Sequence, residues 1–214
     1  SPRLWDNATW TTITGASTPA ITGVTTTLLA HVTLFKNRLF FVESSSMRLW
    51  YLPVNSVGGA AAQMDMGSIF RLGGYVMAAY TWTLDAGSGS DDHLVIISSN
   101  GEIAVYRGSD PSSSTDWSVI GVFTMGRPLG RRCAVKFGGD LAVNTYEGVY
   151  PLGKGLLSSS VDRRVALTDK IQNSVSQAAS TLGANFGWQV CLNADDNMLI
   201  LNVPYGGGAN YQYA

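Results

Sequence analysis

The chain has 214 residues, with 14 basic and 15 acidic side chains, a formal charge of −1 and a charged fraction of 14%. That length suits one large domain or two small ones with a sizeable core, and a 45% hydrophobic content excludes a solvated, disordered chain. The balanced charge supplies no basic field of the kind that wraps DNA without regard to sequence or attaches to anionic membranes. Cys133 and Cys191 cannot build a disulfide framework, and with His31 and His93 they show no zinc-ligand spacing. The longest apolar stretches, such as 75–80, fall far short of the roughly 20 residues that cross a bilayer. Ser1-Pro2-Arg3 does not open a signal peptide. The segment is therefore expected to be soluble, without membrane insertion.

Residues 1–29 are read as an N-terminal outer strand and a linker. From about residue 30 onward, apolar runs of four to eight residues alternate with Gly, Asn, Asp and Ser clusters, a spacing that predicts short strands joined by tight turns. Arg38–Val42 should pair with Met47–Leu52 across 43–46. Leu94–Ser99 should pair with Glu102–Tyr106 across Asn100-Gly101, a dipeptide that favours the type I′ hairpin turn. Asp140–Val143 should pair with Val149–Leu152 across 144–148.

These segments resemble one another. Leu39, Leu94, Leu141 and Met198 form a column spaced 47–57 residues apart. Around it, Leu72-Gly73-Gly74-Tyr75-Val76 aligns with Leu129-Gly130-Arg131-Arg132-Cys133, and Phe35–Leu39 with Phe137–Leu141. Thr9–Ile13 likewise aligns with Asp116–Ile120. A repeat near 50 residues with about four strands is the pattern of propeller blades, each of which hides its apolar faces against its neighbours. The expected fold is all-β, a β-propeller or partial propeller of four-stranded antiparallel blades at 30–66, 74–124, 131–157 and 186–214. One amphipathic helix is inserted near 161–182, where Leu167, Ile171, Val175, Ala178 and Leu182 fall on one stripe. Thr168 or Ser160 is the expected cap and Gly183 the expected stop. The helix should pack across a blade edge or project from the rim as a contact element.

Asp6–Trp10 resembles the Asp-box of sialidase propellers but lacks its glycine, and it reads more simply as a turn feeding an outer-strand Trp. Asp91-Asp92 and Asp195-Asp196 could bind calcium or act as acid and base, yet both precede a middle strand, where turns favour Asp. Calcium is a minor option for Asn193–Asn197. Gly126–Arg132 and Gly153-Lys154-Gly155 fit neither a P-loop nor a dinucleotide fingerprint. Their expected role is sharp turning, with nearby arginines paired to carboxylates at a subunit boundary and transient phosphate contact second. The cysteines read as buried small hydrophobes on inner strands, and no nucleophile elbow surrounds a serine. No catalytic residue, cofactor or metal is assigned.

Met47–Pro53, Gly74–Met77 through Tyr80–Gly87, Val105–Pro111, Gly130–Cys133, Gly148–Leu152 and Leu167–Gln172 resemble structural proteins of podoviruses and related prophages. The resemblance spans most of 30–205 and is similar to the tail nozzle or tail hub type. It implies a non-enzymatic virion protein, assembled in the bacterial cytoplasm, that forms a ring, sixfold by the family pattern. That ring sits below the portal and adaptor, acts as conduit and seal for DNA, and meets tail fibre or spike proteins. DNA contact would be transient and non-specific. Candidate subunit contacts are Arg131, Arg132, Arg163, Arg164, Lys170 and Gln172. The competing class is a tail-spike-like carbohydrate-binding or glycan-cleaving propeller, with surface aromatics among Trp5, Trp10, Trp50, Trp82, Trp117 and Trp188 stacking on sugars. A cellular scaffold propeller is a third option.

Overall fold

The computed structural model describes residues 1–85, 90–155 and 165–214. Arg163, Arg164, Ser160 and positions 161–164 of the expected helix lie outside the described residues. The N-terminal segment forms a hairpin of β1 (Arg3–Trp5) and β2 (Trp10–Thr12), followed by the short β3 (Ile21–Thr22). Four consecutive antiparallel meanders succeed it. The first contains β4 (Leu29–Phe35), β5 (Arg38–Glu43), β6 (Arg48–Tyr51) and, after the two-residue β7 (Gly59–Ala60), β8 (Ala62–Asp65). The second contains β9 (Val76–Asp85), β10 (Ser90–Ser98), β11 (Glu102–Arg107) and β12 (Ser118–Thr124). The third is β13 (Ala134–Phe137), β14 (Asp140–Thr145) and β15 (Gly148–Pro151). The fourth is β16 (Gln189–Asn193), β17 (Met198–Gly206) and β18 (Ala209–Tyr213). Among the described residues the first two sheets have four strands and the last two have three, short of the four-stranded blade.

The protein is thus mainly β, built from small sheets that are antiparallel apart from the β3–β7 pair. The column Leu39, Leu94, Leu141 and Met198 falls in the second strand of each meander, β5, β10, β14 and β17. β1 and β2 pair only with each other among the described residues, so the N-terminal segment adds no strand to a meander.

Strand alternation explains how the sheets pack, because successive side chains point to opposite faces. Phe40, Val42, Leu49 and Tyr51 of the first sheet share a core with Leu94, Ile96, Ala104 and Tyr106 of the second. The intervening Val95, Ile97, Ile103 and Val105 share another with Leu141, Val143 and Tyr150 of the third. Ala142 and Val149 then face Val190, Leu201 and Val203 of the fourth. The far face of the first sheet, with Phe41 and Trp50, is covered by Ile13 and Ile21 of the N-terminal segment. Each fully buried Leu or Ile in these cores contributes about 1.5–3 kcal/mol relative to exposure.

The first strands of the meanders are linked in the same order. His31 Nε2 lies 2.8 Å from Ala79 O, and Thr81 Oγ1 donates to Leu34 O at 2.7 Å, joining β4 to β9. Tyr80 Oη donates to Arg131 O at 2.8 Å and accepts from Ala134 N at 3.3 Å, joining β9 to β13. Val190 N donates to Arg132 O at 3.3 Å beside a parallel bridge of Arg132 with Gln189, joining β13 to β16.

Several local expectations are corrected. The β10–β11 hairpin forms, but with Ile97 opposite Ile103 its strands are shifted one residue from the register that a two-residue turn at 100–101 requires, and the turn is not type I′. Gly101 alone has a positive φ, of +88°, and its N–H donates to Ser98 O, a three-residue connection with a left-handed closing glycine. The turn with two left-handed central residues occurs instead at Lys36 (φ 46°) and Asn37 (φ 59°), between the paired Phe35 and Arg38. Asp91 and Asp92 lie inside β10, opposite Leu84 and Thr83, not in a turn. The strand continues because Asp92 accepts from Thr83 Oγ1 at 2.7 Å and pairs with Lys36 at 3.8 Å. Asp195 and Asp196 do sit in the exposed β16–β17 turn.

A short helix α1 (Leu152–Gly155) closes the third sheet, and the expected stripe forms the helix α2 (Gln172–Leu182), with a 3-10 turn at Asp169–Ile171 before it. Val175, Ala178 and Ala179 are buried in the core between the third and fourth sheets, whereas Leu167 and Ile171 stay exposed. Thr168 makes no side-chain cap; its hydroxyl donates to Gln172 Oε1 and accepts from Val149 N, tying the helix start to β15. Gly183 ends the helix with a right-handed φ of −59°, so small size beside Tyr146, and not positive φ, is what selects glycine there.

Candidate functional site

The connection from β12 to β13 carries Arg127, Arg131 and Arg132 within six residues. It is held in shape by backbone bonds: Tyr146 N donates to Arg127 O at 2.9 Å, Leu129 N to Asn144 O at 3.2 Å, and Pro128 bridges Thr145. Gly130, at φ +74°, turns the chain so that Arg131 and Arg132 precede the first strand of the third sheet. The equivalent connection before β9 turns at Gly73 and Gly74, where a side chain at Gly74 would strike Ser99 Oγ. Glu102 anchors that connection by accepting from Arg71 N and Leu72 N, both at 2.8 Å.

These connections, the start of β4 and the 183–188 segment before β16 border a hollow of about 710 Å³. Arg127, Arg131 and Arg132 enter it together with His31, Tyr75, Asn100, Tyr146, Phe186 and Trp188, and no carboxylate lines it among the described residues. The Arg127 guanidinium lies 5.5 Å from the Tyr146 ring centre, and that of Arg131 lies 5.7 Å from the Tyr75 ring centre. Arg131 Nη1 donates to Met77 O at 2.7 Å and to Val76 O at 3.4 Å, and Arg132 Nη1 donates to Gln189 Oε1 at 3.1 Å. Burial pushes the Arg131 guanidinium pKa down. Burial also lowers that of His31, and the nearby Arg131 charge adds to the effect. His31 is accordingly neutral at neutral pH, with Nε2 carrying the proton toward Ala79 O. Phe186 is 99% exposed, while Trp188 is buried with its Nε1 donating to Leu182 O at 2.9 Å.

The structure therefore brings together two of the residues read as subunit contacts, Arg131 and Arg132, and adds Arg127. It pairs Arg131 with backbone carbonyls and not with a carboxylate. Lys170 is exposed at the 3-10 turn, and Gln172 is engaged with Thr168 and Ser176 at the start of α2. The convergence of Arg127 with His31 and the 183–188 segment was not legible from spacing, because these residues lie on one strand, β4, and two separate connections. The one local signal was the glycine-flanked arginine string at 126–132.

The other candidates resolve locally. Asp6 Oδ1 accepts from Ala8 N and Thr9 N, making a turn that delivers Trp10 to β2. Asn193 Nδ2 donates to Asp196 Oδ2 at 2.8 Å in the would-be calcium loop. Among the described residues no group of three or more His, Cys, Asp or Glu side chains gathers to hold a metal. Cys133 is buried beside Tyr80, and desolvation pushes its thiol pKa up to about 12; Cys191 is half-buried, not fully enclosed. Trp50, Trp82 and Trp188 fill cores, Trp117 stacks between Phe40 and Tyr106, and Trp5 and Trp10 form an exposed pair 5.4 Å apart. Comparison with protein-family models and with curated proteins finds no match to this chain.

Proposed function

We propose that this chain is a non-enzymatic structural module of a phage tail, of the nozzle or hub type, built as a β-propeller or part of one. The observation that carries the reading is the face-to-face stacking of four consecutive meanders through three shared cores, with their first strands linked side by side in chain order. Stacking of this kind serves rigidity, since every central sheet is clamped on both faces. The low charge suits permanent ring contacts, whose buried centres are depleted of charged residues. In a ring the DNA conduit is the hole between copies, where a nearly neutral Ser/Thr/Gly-rich surface lets phosphates slide. The adaptor, portal and fibre or spike proteins are the neighbours in this reading, and copies of the chain form the ring.

The test is mass spectrometry of purified particles together with light scattering of the full-length protein across a wide concentration range. A virion component that assembles into a closed ring is expected. A protein absent from particles and monomeric at high concentration would overturn the reading.

The exposed Trp5 and Trp10 pair, 46% and 63% accessible, favours a second reading as a glycan-binding tail-spike propeller. A glycan array with wild-type protein and a Trp10→Ala variant separates the two: sugar binding that the substitution abolishes selects the spike.

A further inference from the structure

We propose that the arginine-lined hollow is a nucleotide-phosphate site, with the phosphate oxygens on Arg127, Arg131 and Arg132 and the base against the aromatic wall. The hollow holds about 710 Å³, ample for one nucleotide, and is bordered by Tyr75, Tyr146 and Phe186. Three arginines line one concavity without a carboxylate among its described lining residues. Their mutual repulsion and partial desolvation leave a positive potential that an oxyanion offsets, and a concave protein wall focuses that field.

The guanidinium fork matches phosphate geometry through paired N–H donors, and it does so best when already oriented. Arg131 is oriented: both of its bonds to backbone carbonyls use Nη1, which leaves the Nε and Nη2 edge outside them. Arg127 and Arg132 are exposed at the rim, one over Tyr146 and the other bonded to Gln189. His31 is neutral and adds no charge near neutral pH, so the arginines supply the attraction. Phe186, projecting from the glycine-flanked 183–187 segment, offers an uncovered face for a base.

The chemistry is a phosphate ester next to a flat heterocycle, supplied either by a free nucleotide or by the 5′ end of a single DNA strand. The site stands apart from the tail reading, because it uses residues within one copy and requires no ring. Calorimetric titration of the full-length protein with dATP, adenosine and a short oligothymidylate with or without a 5′ phosphate tests it.

Saturable binding of dATP or of the 5′-phosphorylated strand is expected, with adenosine and the unphosphorylated strand weaker by about tenfold or more. Binding to one phosphorylated probe and not the other identifies the source. Arg127→Ala and Arg132→Ala, each checked for native circular dichroism, should each weaken binding about tenfold, while Arg71→Ala, outside the hollow, leaves it unchanged. No saturable binding of either phosphorylated probe up to about 1 mM, or binding that Arg71→Ala weakens as much as the hollow variants, overturns the proposal. Ring assembly and virion location are unaffected by either result.

Discussion

Tyr80 shows how one side chain can join two sheets. Its hydroxyl donates to Arg131 O and accepts from Ala134 N, and burial pushes its pKa well above the ordinary phenol value. Tyr80→Phe preserves the ring but leaves a carbonyl and an N–H without that partner, so denaturation should show a loss of about 1–3 kcal/mol. Cys133, against the same ring, is a thiol at neutral pH because desolvation disfavours its thiolate. In native protein a maleimide reagent should therefore modify Cys191 well before Cys133, and equal rates would contradict the packing. His31 gives a pH dependence with a definite sign. Its folded pKa lies below the ordinary histidine value of 6.5, so the unfolded chain takes up the proton first. The stability it contributes is present above that value and is lost as pH falls through the folded pKa. Urea midpoints should drop more between about pH 7.5 and pH 5 for wild type than for His31→Gln.

At the scale of elements, turn chemistry was partly readable. The Asn100-Gly101 dipeptide marked the position of a hairpin, but the loop length is decided by where β10 and β11 lock their registers, and both strands belong to a four-stranded sheet. Register won over local turn preference. A side chain at Gly101 would run into the Met125 carbonyl on top of its positive φ, so Gly101→Ala should cost more than about 1 kcal/mol in thermal or urea denaturation. Asp91-Asp92 departs from the expected turn for a related reason. Acids favour turns in isolation, whereas here the long β9–β10 ladder and the Lys36 and Thr83 partners keep Asp92 extended. Glu102 is the converse case, a strand acid whose carboxylate fixes the 71–72 backbone leading to the hollow. Glu102→Ala removes both acceptors, and a loss of about 2–3 kcal/mol is expected in the same assays.

At the scale of the molecule, the two faces of the second sheet carry separate cores. Leu49 lies in the core between the first and second sheets, and Leu141 in the core between the second and third. Leu49→Ala and Leu141→Ala should each cost about 2–5 kcal/mol, and the double variant should lose close to the sum if the cores are independent. A double-variant loss well below the sum, read from urea denaturation, would show that one core relaxes when the other is opened.

The strand pairs, the repeat of second strands and the apolar stripe of α2 were determined by sequence alone, because periodicity of 2 or 3.6 is a property of neighbouring residues. Strand number per sheet, the true turn types and the choice of Thr168 as a tie to β15 depended on register and packing between distant segments. The hollow was beyond the reach of sequence for the same reason. His31, Arg127 and Phe186 are brought to one place only by the stacking of sheets, and no local pattern records which connections that stacking brings together.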